Sequence, residues 1–126
     1  MNVHQTAIAI WTAFTLSLPL SLAAEDFPEF DDPHLQKGRT IWVENCMTCH
    51  GYGVAGAPVP TDASAWEMRV KKDINVLYTH ALEGFFGPDD TMMPPRGGND
   101  QLTDNEVKSA VDYMVNVAKH TLNAKH

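Results

Sequence analysis

Cys46 and Cys49 are the only cysteines in the chain, and His50 directly follows the second, so Cys46-Met47-Thr48-Cys49-His50 spells C-x-x-C-H. That spacing is the attachment signature of a c-type haem. Upstream, Leu35, Ile41, Trp42 and Asn45 recur on a rough helical period after a start signal at Asp32-Pro33. If the helix runs into the motif, Cys46, Cys49 and His50 stand at i, i+3 and i+4, on one face. Two thiols there can each form a thioether with one vinyl group, which brings the adjacent imidazole under the iron as its proximal ligand. Competing readings fit less well. A disulfide would suit an exported chain, but it does not explain the histidine. A thioredoxin-like pair wants a βαβ setting, and no strand pattern flanks the motif. A structural zinc site needs a second ligand cluster, which His34, His80, His120 and His126 do not form.

A second ligand is signalled by Met92-Met93-Pro94-Pro95-Arg96-Gly97-Gly98. Proline fixes φ and biases the residue before it to extended backbone. A methionine just ahead of two prolines therefore sits on a stiff loop with a preset thioether direction. Thioether sulfur suits a redox-active haem iron, and His/Met ligation raises its potential. Met93 is the expected distal ligand, with Met92 the second choice; flexible core filling is the bland alternative.

Residues 1–24 read as a leader. Ala7 to Ala24 carries no charge and ends in small residues before Glu25-Asp26, the pattern of a secretory signal. The rival is an uncleaved anchor, although Thr12, Thr15, Ser17, Pro19 and Ser21 dilute the run. Cleavage would leave residues 25–126 as one domain, periplasmic in location. Nine Lys and Arg against sixteen Asp and Glu give a net charge of −7. That balance argues against nucleic-acid binding, which depends on cations. It fits either a partner with a basic docking patch or simple solubility.

With these residues in view, the chain resembles the class I cytochromes c, and most closely the cytochrome c5 group. The similarity runs from about Gly38 to Met114. It rests on the C-x-x-C-H motif, Gly51–Pro58, Trp66 with Arg69, Leu77–Gly84, the Met93–Gly98 loop and Ala110–Met114. The resemblance implies an all-α fold, the small class I cytochrome c fold, with helices packed around one covalent haem c. It implies that the Pro58 carbonyl accepts a hydrogen bond from His50, fixing its tautomer. It also implies that the first and last helices cross, with Gly38 close to the Ala110–Tyr113 surface. Trp66 would pack on the haem or donate to a propionate; Arg69 or Arg96 could pair with propionates or stay exposed. The group often has another cysteine pair where this chain has Asn99-Asp100-Gln101.

The remaining elements follow from local signals. Thr103-Asp104-Asn105-Glu106 is a capping box ahead of Val107, Ala110, Val111, Met114 and Val115. A middle helix is expected from Asp73 to a stop at Gly84, with His80 on it as a surface or hydrogen-bonded residue rather than a ligand. A shorter helical piece would include Trp66 and Arg69. The stretches 25–32 and 116–126 are expected to fray.

The function implied is outer-sphere transfer of single electrons between a donor and an acceptor redox protein, for instance a membrane-bound oxidase or reductase, with no small-molecule substrate. The alternatives are an electron-entry subunit of a larger oxidoreductase, or a peroxidase-like haem protein with an open sixth site.

Overall fold

The computed structural model describes residues 26–125; the expected leader, 1–24, lies outside them. Helix α1 spans Pro33–Asn45, with Pro33 at its first position and the Asp32 carboxylate accepting from the His34 and Leu35 amides. This start matches the sequence signal, since proline lacks the amide that the first turn cannot pair. The helix does not run unbroken into the motif. Cys46 departs to φ −117°, and the short helix α2 resumes at Met47–His50. Backbone bonds bridge the break, from the Cys46 amide to Trp42 and from the His50 amide to the Cys46 carbonyl.

Helix α3, Ala63–Trp66, is capped by Asp62, and Arg69 falls in the turn after it rather than inside. Helix α4, Ile74–Glu83, is capped by Asp73 and ends at Gly84, whose φ of 86° suits a residue without Cβ. Helix α5, Asp104–Asn123, opens with the expected reciprocal capping box between Thr103 and Glu106.

The fold is mostly helical, with one departure from the all-α expectation. Strands β1, Phe85–Phe86, and β2, Met92–Met93, pair antiparallel, Phe85 opposite Met93 and Phe86 opposite Met92. Asp89 and Asp90 turn the hairpin with φ of 56° and 58°. Aspartate tolerates this left-handed region, and such a turn needs it twice.

Helices α1 and α5 form the main crossing. A Cβ on Gly38 would lie 2.7 Å from the Ser109 carbonyl carbon and 3.2 Å from the Tyr113 Cβ. The absent side chain thus lets the two helices meet at Tyr113, on the surface expected, and at Ser109, one residue before it. Around the crossing, Trp42 packs on Tyr113 (ring centroids 5.5 Å apart) and on Phe27 (4.7 Å). The Tyr113 hydroxyl donates to the Pro28 carbonyl at 2.9 Å. Neither end behaves as expected. Phe27 is buried, and α5 continues through the fully buried Val117 and Ala118. The early aromatics and the late turns of α5 bury apolar surface together, which outweighs terminal fraying.

Candidate haem site

The motif residues are placed by the break after α1. Cys46 is half-buried and Cys49 exposed, both as free thiols. Burial, followed by the neighbouring Cys49, pushes the Cys46 thiol up to about 11. A redox-active pair needs the opposite, a thiol depressed toward the thiolate. The arrangement therefore argues against disulfide exchange as the motif's purpose.

His50 is 9% exposed. Its Nδ1 lies 3.0 Å from the Pro58 carbonyl oxygen. A carbonyl only accepts, so Nδ1 carries the proton and donates, leaving the Nε2 lone pair free to bind a metal. Burial holds the imidazole below its usual range, the Pro58 bond opposes this, and the positive field of Arg69 adds to it. A neutral imidazole with a fixed tautomer is the form that ligates iron.

Cys46, His50 and Met93 line one pocket, closed around by Ile41, Ala81, Leu102, Val107, Ala110, Val111 and Met114. The hairpin decides which methionine takes part. Side chains alternate across a strand, so Met93 packs against the core while Met92 stands 53% exposed. The prolines after Met93 and the left-handed run Arg96, Gly97 and Gly98, at φ of 54°, 64° and 86°, shape the loop.

These residues fit a haem. One nitrogen and one thioether sulfur share an apolar pocket with an anchoring thiol. In addition, the indole Nε1 of Trp66 is buried, at 4% residue exposure, with no acceptor among the described residues. An orphaned buried donor is costly, and a carboxylate of the group would satisfy it. The Trp42 Nε1, within the aromatic cluster, likewise has no acceptor among the described residues.

Other residues named from the sequence lie at the edge of the pocket or outside it. Arg69 donates to the Ala65 carbonyl and lies near enough to His50 to influence it. Arg96 borders the pocket, but its guanidinium turns to the Leu102 carbonyl at 2.9 Å and the Asp104 carboxylate at 2.6 Å. These two bonds brace the loop against the start of α5 and use two of the guanidinium's five N–H donors. His80 stacks on Phe85, with ring centroids 4.1 Å apart, and His34 bonds Asp112; neither lines the pocket. Sequence reasoning missed two polar links. The Asn99 amide donates to Asn45 Oδ1 at 2.7 Å, and Asp112 accepts from Tyr78 at 2.5 Å while contacting His34 at 2.7 Å. No local pattern announces either.

The cytochrome c family model matches residues 35–118, from the first turn of α1 through the buried part of α5. The chain belongs to the cytochrome c family. Within this family, cytochrome c-555 of Chlorobaculum tepidum is 40% identical over 82 residues, 65% of this chain and 75% of that protein. Cytochrome c-555 of Prosthecochloris aestuarii is 36% identical over 94 residues, 72% of this chain and 92% of that one. Cytochrome c5 of Azotobacter vinelandii is 31% identical over 81 residues, covering 63% and 92%. Among solved structures, the crystal structure of an electron transfer complex of nitrite reductase with cytochrome c contains a similar chain, 33% identical with a TM-score of 0.58. The match covers 69% of this chain and 96% of that one. This is thus a class I c-type cytochrome close to cytochrome c5, a small monohaem electron carrier whose cofactor is covalent haem c.

Proposed function

We propose that this cytochrome shuttles single electrons between redox proteins, and that Cys46 and Cys49 would hold the haem as thioether anchors while His50 and Met93 would bind its iron. The group would supply a metal centre that alternates between ferrous and ferric states. The observation that carries the reading is that His50 and Met93 line one apolar pocket while Pro58 fixes the imidazole tautomer. The Pro58 carbonyl holds the His50 proton at Nδ1 and so keeps Nε2 available. The stiff Met93-Pro94-Pro95 backbone offers sulfur with little reorganisation. Ile41, Val107, Ala110, Val111 and Met114 exclude water, which favours the less charged, reduced state. The Trp66 Nε1–H, with Arg69 beside the site, serves the propionates.

If His50 and Met93 both bind the iron, no position would be left there for a substrate, which favours the carrier over a peroxidase. The membrane-bound oxidase or reductase expected as partner would approach with a basic patch, matching the net charge of −7. The uncharged run Ala7–Ala24 supports export to the periplasm with removal of residues 1–24. N-terminal sequencing of the purified native protein tests this, and an intact Met1 would refute removal.

Voltammetry and the ferric spectrum of the holoprotein test the site. The expected result is a reversible one-electron couple with a thioether-to-iron charge-transfer band, lost in Met93→Ala and kept in Met92→Ala. A high-spin ferric spectrum with rapid peroxide turnover would establish the peroxidase instead.

A further inference from the structure

The loop after Met93 has no disulfide to hold it, because the chain's only cysteines belong to the motif. It contains three consecutive left-handed residues, and it must nevertheless keep one sulfur in place. We infer that the Asn45–Asn99 amide pair is a hydrogen-bonded clamp that holds the Met93 loop against the end of α1, making both asparagines positioning residues for the distal ligand. This rests on the assignment of Met93 as that ligand.

The geometry leaves little freedom in how the amides are oriented. Asn45 Nδ2 donates to the Ile41 carbonyl at 2.9 Å, which can only accept, so Asn45 must present Oδ1 to the loop. Asn99 Nδ2 donates to that oxygen at 2.7 Å, across 54 residues of sequence. Asn99 Oδ1 in turn accepts the Gln101 amide at 3.1 Å, a group that can only donate. Both ends of the chain of bonds are thus fixed by backbone, and neither amide can flip without losing two bonds.

The placement gives the pair its consequence. Asn45 is the last residue of α1 and immediately precedes Cys46. Asn99 caps the turn Pro95–Gly98 that follows Met93 and Pro94. Gly97 passes close to the Asn45 carbonyl, where a Cβ would sit 3.4 Å from the oxygen. The clamp therefore joins the segment that carries the haem anchor to the segment that carries the sulfur. Arg96 braces the same loop to α5 through Leu102 and Asp104, leaving Asn99 to set its distance from the motif. Without the amide bond, the loop opens more often and the sulfur leaves the iron more often.

Imidazole added to the ferric holoprotein reads this opening directly, since it binds iron only when Met93 has left. Its apparent affinity follows the fraction of open loop. Asn99→Ala is expected to bind imidazole roughly 2- to 10-fold more tightly than the parent, the equivalent of one lost hydrogen bond. Asn99→Asp, nearly isosteric, turns an oxygen toward Asn45 Oδ1 and should give at least that increase. Gln101→Ala, whose side chain takes no part, should bind as the parent does. Asn45→Ala combined with Asn99→Ala should fall short of the sum of the two single effects, because the two share one bond. Parent-like affinity in both Asn99 variants overturns the clamp, as does equal tightening in Gln101→Ala. If the parent itself lacks the thioether-to-iron band, the Met93 assignment falls and takes the clamp with it; a normal band with unchanged affinity sinks the clamp alone.

Discussion

Gly38 of α1 lies directly against the Ser109 carbonyl of α5, so close that any side chain there would overlap backbone. Backbone cannot rotate away as a side chain can, so the two helices would have to separate. Gly38→Ala is therefore expected to destabilise the holoprotein by about 3 kcal/mol or more, the upper end of the cost of overpacking. Denaturant unfolding should show a lower midpoint with an unchanged slope. An unchanged midpoint would mean that the crossing is looser than the structure shows.

The link between α4 and α5 gives a pH dependence. Burial, then the Asp112 carboxylate as acceptor and as neighbouring charge, pushes the Tyr78 phenol up from 10.0 to about 12. Above pH 10 the unfolded chain loses a proton that the native protein still holds, so the native state binds more protons. The stabilisation is complete below pH 10 and is lost as pH rises toward about 12. Tyr78→Phe should cost about 1 kcal/mol at neutral pH and show a flatter decline across that alkaline window. Tyr113, also raised by burial, leaves a residual slope. Unfolding midpoints of both proteins as a function of pH provide the check, and parallel curves would remove Tyr78 from the account.

The orphaned indole of Trp66 makes a spectroscopically clean variant. Trp66→Phe keeps an aromatic in the buried site but removes the N–H. If that N–H serves a propionate anion, its loss raises the propionate's pKa by roughly one to two units, the worth of a charge-assisted hydrogen bond. The pH-dependent step in the reduction potential should then move upward by that amount. Identical potential–pH curves would assign Trp66 to packing alone.

Phe27 tests the unexpected order at the start of the domain. Its ring packs 4.7 Å from that of Trp42 and is almost entirely buried. Phe27→Ala should cost about 3–5 kcal/mol, seen as a fall in Tm of roughly 12–40 °C. A shift of only a degree or two would show that the contact is incidental.

Much of this architecture is legible in the sequence, because helix ends are local affairs. Asp32, Asp73 and Thr103 mark the three long helices, and Gly84 marks a stop. The His50–Pro58 bond came through the family resemblance, since nothing in the seven residues between them dictates it. The hairpin was hidden because its strands have two residues each, too few for an alternating pattern, and its turn is Asp-Asp rather than the usual Asn-Gly. Burial at the ends could have been read at one of them. Val117 and Ala118 continue the spacing of Val111 and Met114, whereas Phe27 is an isolated aromatic with no period to join. The polar links Asn45–Asn99 and Asp112–Tyr78–His34 span 34 to 78 residues. Their members look like ordinary surface residues until the fold brings them together.

The crossing of α1 with α5 also bears on the order of assembly. A ribosome produces Cys46 and Cys49 more than fifty residues before Ser109 and Tyr113 exist, so the helix leading into the motif has nothing to lock against while the rest is being made. Val107, Ala110, Val111 and Met114, which wall the pocket, also arrive last. Contacts this far apart in sequence form late. The pocket beside the motif is therefore completed only when the final helix packs against α1.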